Sequence, residues 1–198
     1  MRSITIPAIL AALTLSACTI NVSSDHSESS QSKTIEKQFA SGGKIEMQLN
    51  GGAYEIRPAA GNRIRFTSSG NIGNVKTDLM TDGSHATLIV KDTPHNNFTG
   101  VIEVPGAADL TVRLTGGELQ MSAIKGNKDI QSTGGNMEIS VGDPNDYASV
   151  DASLKAGNLE AGPFGEAKSG LFPHFTWSGP GKYKLRVDLG AGNLELKK

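Results

Sequence analysis

Two short Asp-His pairs are the residues of this chain whose types and spacing best suit a metal site. Asp82 precedes His85 by three positions and Asp92 precedes His95 by three, with the pairs ten residues apart. Two imidazoles and two carboxylates could complete a tetrahedral zinc centre. Both pairs lie in turn-rich sequence, however, where Asp serves as a turn residue and His is merely exposed. The sequence therefore predicts no metal here and no cofactor elsewhere.

A second candidate is the Gly-Ala-Gly at 190–192, because Gly-x-Gly can bring a backbone close to a phosphate. The dinucleotide fingerprint needs a third glycine three positions later, where this chain has Glu195. A carboxylate there would repel a pyrophosphate, and no helical pattern follows. These residues instead predict a tight corner between two β-strands.

The single cysteine, Cys18, follows a short apolar segment at the N-terminus. Arg2 precedes about a dozen apolar residues, too few to span a bilayer, which predicts a signal peptide. Leu15-Ser16-Ala17-Cys18 resembles the lipobox of bacterial lipoproteins. The resemblance implies cleavage between Ala17 and Cys18 and attachment of lipid to Cys18.

Three regions are therefore expected: a signal peptide at 1–17, a lipidated cysteine with a serine-rich tether at 18–33, and one domain at 34–198. Thr19 after the cysteine resembles lipoproteins sorted to the outer membrane, so the expected location is the cell envelope, facing the periplasm. The formal net charge of −1 provides no basic excess to attract nucleic acid.

One pattern of alternating apolar residues around a glycine corner occurs five times. Each copy reads apolar-x-apolar-x-apolar, then x-[Gly/Ala]-Gly-x, then apolar-x-apolar. The period of two on both arms predicts β-strands with one buried face. The third corner position is always glycine, at Gly52, Gly117, Gly135, Gly157 and Gly192. Because the second position also accepts Ala156 or Ala191, we predict a positive φ only at the third.

Copies that recur about every 20 residues suit the rungs of a parallel β-solenoid, each stacked on the last. A four-residue corner could equally close an antiparallel hairpin in a β-sandwich. The copy around Ile130 has a weak first arm, and segments 57–109 and 163–183 interrupt the rhythm. We expect degenerate rungs and a hairpin in the first of these segments.

The outward residues of the second arms are mostly acidic: Glu55, Gln120, Glu138, Glu160 and Glu195. Rungs stacked in register would align them about 4.8 Å apart on one face. A cation could bridge such carboxylates, although an ordinary solvated face explains the same pattern.

The segment 163–183 concentrates the aromatic residues Phe164, Phe172, Phe175, Trp177 and Tyr183. We expect them to cap the last rung, because exposed strand edges recruit other chains. The alternative is a ligand platform formed by Phe172, Phe175 and Trp177, since aromatic faces suit a glycan or a partner protein.

The stretch VIEVPGAADLTVRLTGGELQMSAIKG (101–126) resembles the bacterial toast-rack, or putative-adhesin, β-strand-repeat family. The ending GPGKYKLRVDLGAGNLELKK (179–198) is also similar to the close of that family, and the resemblance covers residues 35–198. The resemblance implies an all-β, single-domain, right-handed β-helix-like fold in a cell-envelope protein, without catalytic residues to transfer. One departure is that the corners carry Asn or Glu where the family often has Asp.

The expected function is that of a non-enzymatic envelope lipoprotein, an adhesin-like module held to the membrane by its lipid and binding an envelope glycan or protein. The alternative is a polysaccharide-cleaving β-helix enzyme, which requires carboxylates clustered in one groove. The outward residues of the first arms show no such acid-base pair: Glu46, Thr111, Asp129, Asp151 and Arg186.

Overall fold

The structure, a computed structural model, describes residues 31–198. The predicted signal peptide, the attachment site Cys18 and residues 19–30 of the tether lie outside the described residues. The first described strand includes residues 31–33, which the sequence analysis assigns to the tether. Residues 31–33 belong to the fold because they pair with a neighbouring strand at Ser68, Ser69 and Gly70.

Strands and two single-turn 3-10 helices make up the described chain. The strands are β1 (Gln31–Gln38), β2 (Lys44–Leu49), β3 (Gly52–Pro58), β4 (Arg63–Gly70), β5 (Lys76–Asp82), β6 (His85–Lys91), β7 (Phe98–Val104), β8 (Asp109–Leu114), β9 (Gly117–Met121), β10 (Lys128–Ser132), β11 (Gly135–Ser140), β12 (Tyr147–Ala161), β13 (Glu166–Leu171), β14 (His174–Ser178) and β15 (Tyr183–Lys197). The 3-10 helices are η1 (Pro144–Asp146) and η2 (Gly162–Phe164). No helix in residues 31–198 is long and apolar enough to cross a membrane.

Six rungs form a stack, each with a first arm, a corner and a second arm. In chain order, rungs 1 to 6 are β2–β3, β6–β7, β8–β9, β10–β11, β12 and β15. Neighbouring rungs pair in parallel, first arm with first arm and second arm with second arm. The parallel pairing confirms the solenoid-like all-β fold and rules out the antiparallel corner hairpins of the sandwich alternative.

The rungs do not stack in chain order, which corrects the expectation that each lies on the last. Their spatial order is 2-1-3-4-6-5. Rung 2 fills a gap between rung 1 and the antiparallel strands β4 and β5, and rung 6 fills a gap between rungs 4 and 5. Strands β13 and β14 then cover rung 5 in antiparallel fashion. The two interrupting segments thus supply the strands that close each end of the stack.

A continuous hydrophobic core lies between the two arms. Inward residues at equivalent positions align in rows, such as Tyr54, Leu119, Met137, Leu194 and Leu159 on the second arms. All five are buried. Each large apolar side chain buried in this way contributes about 1.5–3 kcal/mol, so the rows stabilise the stack and select its register.

The five corner glycines form one line across the stack, in the order Gly52, Gly117, Gly135, Gly192, Gly157. Their φ values lie between +114° and +148°, a region that L side chains rarely adopt. A Cβ on Gly135 would overlap the carbonyl oxygen of Gly117. At the second corner position a Cβ on Gly51 would make only an ordinary contact, 3.5 Å from the oxygen of Gly116. Gly116 itself has a φ of +154°, so the prediction of a positive φ only at the third position is wrong for rung 3.

Candidate functional site

The two Asp-His pairs do not come together in the structure. Asp82 and His85 face each other at the turn between β5 and β6, whereas Asp92 and His95 follow the other end of β6. A strand of this length separates the pairs by roughly 20 Å. Asp92 is instead paired with Lys76, at 2.8 Å from Oδ2 to Nζ. Within residues 31–198, no group of three or more His, Cys, Asp or Glu side chains is placed to hold a metal.

The acidic residues of the second arms form a single row on one outer face. The row runs Glu55, Gln120, Glu138, Glu195, Glu160, following the spatial order of the rungs. Basic residues in the adjacent row pair with it. Lys197 Nζ lies 2.6 Å from Glu138 Oε1, and Arg57 Nη1 lies 3.3 Å from Glu55 Oε1. These ion pairs relieve the like-charge repulsion that stacking imposes.

A row of asparagine side chains runs beside the acidic row. Asn158 Nδ2 donates to Asn193 Oδ1 at 2.9 Å, and Asn193 Nδ2 donates to Asn136 Oδ1 at 2.8 Å. The fourth corner position thus links rungs 5, 6 and 4 through a chain of amides. Together the two rows make a flat, polar, exposed face with a repeat of about 4.8 Å.

The opposite outer face, formed by the first arms, carries a denser polar cluster near rung 5. His174 Nε2 lies 2.9 Å from Asp151 Oδ1. Ser153 donates its hydroxyl to Asp188 Oδ1 at 2.5 Å, and Arg186 Nε donates to Asp188 Oδ2 at 3.0 Å. Because the serine bonds to a carboxylate and not to the imidazole, the arrangement is not a Ser-His-Asp relay. Sequence spacing could not show the His174–Asp151 contact, since it depends on antiparallel pairing of β14 with β12.

The aromatic residues of segment 163–183 divide between a cap and an exposed tip. Phe175 is buried, and Trp177 is half-buried. Phe164 from η2 packs over both, with ring centroids 5.7 Å from Phe175 and 5.0 Å from Trp177. These three rings close the core at the end of rung 5, and not at the last rung of the chain as expected, because rung 6 lies inside the stack. Of the three residues predicted as a platform, only Phe172 points outward.

The tip consists of Leu171 and Phe172, between β13 and β14. Their exposed fractions are 78% and 74%, the largest among the exposed large apolar residues of the described chain. Phe172 has a φ of +55°, which is strained for a bulky residue. Its backbone N–H donates to the carbonyl of Lys155 at 2.9 Å, fixing the tip beside the glycine corner of rung 5.

A buried lysine, which the sequence analysis did not identify, lies on the side of the stack opposite the glycine corners. Lys128 occupies an inward position aligned with Leu110 and Leu185 and is 2% exposed. Its Nζ donates to the carbonyl of Gly126 at 3.2 Å and to the hydroxyl of Tyr147 at 3.0 Å. The available signal was the weak first arm around Ile130, where Lys128 replaces an apolar residue.

Burial controls the protonation of this pair. It lowers the pKa of Lys128 to about 8, against the opposing influence of Asp109 and Asp146. Burial also raises the pKa of Tyr147 to about 12, and the tyrosine hydroxyl donates to the carbonyl of Val141 at 3.2 Å. A shallow depression of about 430 Å³ adjoins the pair, with Tyr183 on its rim. The enclosed ammonium therefore serves as a structural polar group of rung 4.

Comparison with known proteins shows a likeness at the level of the fold. The chain resembles the crystal structure of a putative cell adhesion protein from Clostridium sporogenes, with a TM-score of 0.50 and 14% sequence identity. The match covers 84% of this chain and 99% of that one. The two chains share a fold. That fold is the one expected from the resemblance to the toast-rack family.

Two further solved structures match at lower scores. A putative adhesin from Bacteroides fragilis has a TM-score of 0.28 and 10% identity over 85% of this chain and 98% of that one. A putative adhesin from Parabacteroides distasonis has a TM-score of 0.28 and 11% identity over 57% and 58% of the two chains. No protein-family model and no curated protein sequence matches the chain.

Proposed function

We propose that this chain is a non-enzymatic, adhesin-like module of the bacterial cell envelope. Cys18 carries the lipid that anchors it, and a short serine-rich tether separates the stack from the outer membrane, facing the periplasm. The folded domain binds an envelope glycan or protein through its outer faces. The observation that carries this proposal is the fold shared with a putative cell adhesion protein, over nearly the full length of that protein.

The surface chemistry supports binding over a broad area. The second-arm face presents aligned carboxylates and amides on a rigid parallel sheet, and the first-arm face presents the cluster around Asp151 and His174. Side chains held at a fixed repeat can meet a repeating partner without further ordering, which reduces the entropic cost of association.

Lipid anchoring is tested in bacterial cells that express the full chain. Radiolabelled palmitate should enter the wild-type protein, which should sediment with the outer-membrane fraction. A Cys18→Ser variant should carry no label and appear in the soluble fraction. Equal labelling of both proteins would refute attachment at Cys18.

Binding is tested with the chain from residue 18 onward carrying Cys18→Ser, which removes only the predicted signal peptide and the thiol. We expect saturable binding to isolated envelope fragments and no release of new reducing sugar ends. Glu160→Lys and Asp151→Lys alter one face each, so the variant that loses binding identifies the face. Released reducing ends would instead favour the polysaccharide-cleaving alternative, and absence of saturable binding would contradict the adhesin proposal.

A further inference from the structure

The rung-5 end of the stack leaves a strand edge unpaired within residues 31–198. Strand β13 pairs there with β12 alone, and all six of its residues are exposed. An exposed edge presents N–H and C=O groups that can pair with another chain. At the opposite end β1 pairs with β4 alone and packs beside β5 without a ladder between them.

The hydrogen-bond pattern fixes which groups of β13 face outward. Phe172 N–H donates to the carbonyl of Lys155, and antiparallel pairs alternate between bonded and non-bonded positions. The residues of β13 two and four positions before Phe172 therefore bond to β12. The N–H and C=O groups of Ala167, Ser169 and Leu171 point away from β12, toward the free edge.

We propose that this edge pairs with the same edge of a second copy, forming a two-fold dimer. Antiparallel pairing centred on Ser169 places Ser169 opposite Ser169 and Ala167 opposite Leu171. All three residues have free backbone groups, so the register forms three bonded pairs and about six hydrogen bonds. Gly170, which has open space where a Cβ would stand, lies opposite Lys168.

The side chains at the two ends of β13 are complementary in this arrangement. The apolar tip, Leu171 and Phe172, falls opposite Ala167 and Glu166 of the second copy. Those two residues line a depression of about 620 Å³ whose walls include Pro163 and Leu196. A two-fold axis therefore brings each tip to the depression of the other copy, covering the most exposed apolar side chains of the described chain.

Charge complementarity favours the same pairing. Lys155 lies beside the tip, and the depression is lined by three carboxylates, Glu160, Glu166 and Glu195, against two lysines, Lys197 and Lys198, which leaves an excess of one negative side chain. Strand β1, where the tether joins, lies at the other end of the stack, so the anchor does not obstruct the interface. The inference concerns association between copies and does not depend on which ligand the outer faces bind.

A cysteine at the two-fold axis tests the register. In the chain from residue 18 with Cys18→Ser, Ser169→Cys should give a disulfide-linked dimer on mild oxidation, because bonded antiparallel Cα atoms lie about 5.5 Å apart. Thr176→Cys, exposed on β14 of the same end, is the matched control and should remain monomeric under the same conditions. Linking through Thr176→Cys and not through Ser169→Cys would overturn the proposed register.

Sedimentation equilibrium tests the tip. Phe172→Asn should raise the dimer dissociation constant at least tenfold, and its fold is preserved because Asn tolerates the positive φ. Met80→Asn, an exposed apolar residue on β5 at the other end, should leave the constant unchanged. A wild-type chain that stays monomeric at millimolar concentration, or a dimer insensitive to Phe172→Asn, would refute the proposal.

Discussion

The stack changes direction on two sides, and the two sides are built differently. On the corner side, glycines of five rungs align with nearly the same φ and no side chain separates their backbones. On the opposite side the chain passes between rungs through unlike segments, and the core row there includes Lys128 bonded to Tyr147. The corner repeats because the same glycine-dependent backbone geometry turns the chain in these five rungs. On the opposite side, each connection between rungs has its own sequence and structure.

The largest effect is expected at the corner. Gly135→Val combines a positive φ with overlap onto the carbonyl oxygen of Gly117, so it should lower the free energy of unfolding by roughly 4 kcal/mol or more. Gly157→Val should behave alike. Denaturant unfolding measures both, with Ala156→Val at the second corner position as the control.

Ala156→Val should cost several times less, because Ala156 lacks the positive φ of Gly135 and Gly157. Equal losses in the free energy of unfolding for Gly135→Val and Ala156→Val would contradict this difference between the corner positions. They would show that packing, and not backbone conformation, accounts for the glycine at the third position.

The next effect lies on the opposite side and depends on pH. The pKa of Lys128 is about 8 in the folded state and 10.5 when unfolded, so the unfolded state binds the proton more tightly. Stability is therefore reduced below pH 8 and recovers as the pH rises toward 10.5. Between pH 7 and 9.5 the wild type should gain about 2 kcal/mol relative to Lys128→Met.

The comparison is made below pH 10 because Tyr147, with its raised pKa, titrates in the opposite sense above that value. Lys125→Met, at an exposed lysine on the same side, is the control and should follow the wild-type pH profile. Parallel pH profiles for wild type and Lys128→Met would show that burial does not perturb this ammonium.

The smallest effect returns to the corner side, at the asparagine row. Asn193 makes two side-chain hydrogen bonds, to Asn136 and Asn158, and Asn193→Ala should cost about 0.5–1 kcal/mol. Asn158→Ala removes one of the two bonds and should cost about half as much. Thermal melts that rank the two variants in reverse would argue against a continuous amide row.

Local rules were enough to locate five corners and the strands that flank them, but not the corner of rung 2 or the strands β1, β5, β13 and β14. The third residue of the corner is glycine in all five copies, whereas the second residue can be alanine, as at Ala156 and Ala191. This difference indicates a backbone requirement that can be recognised within each copy alone. The acidic row likewise follows from period-two alternation once rungs are stacked. The burial of Lys128 was not predicted, because a lysine at a core position can be recognised as buried only when its partners Tyr147 and Gly126 are known.

The sequence by itself determined an all-β chain of repeated arms, the positions of five of the six corners and the core-facing residues beside them, since these depend on alternation and on φ at single residues. Only the tertiary structure decided the order 2-1-3-4-6-5, the burial of Phe175 beside an exposed Phe172, and the contact between His174 and Asp151. Each of these depends on which edge a strand joins. Because the edges of all the rungs are similar, the sequence of a single rung does not determine its neighbours. The order of the rungs therefore depends on the antiparallel strands that pair at each end of the stack.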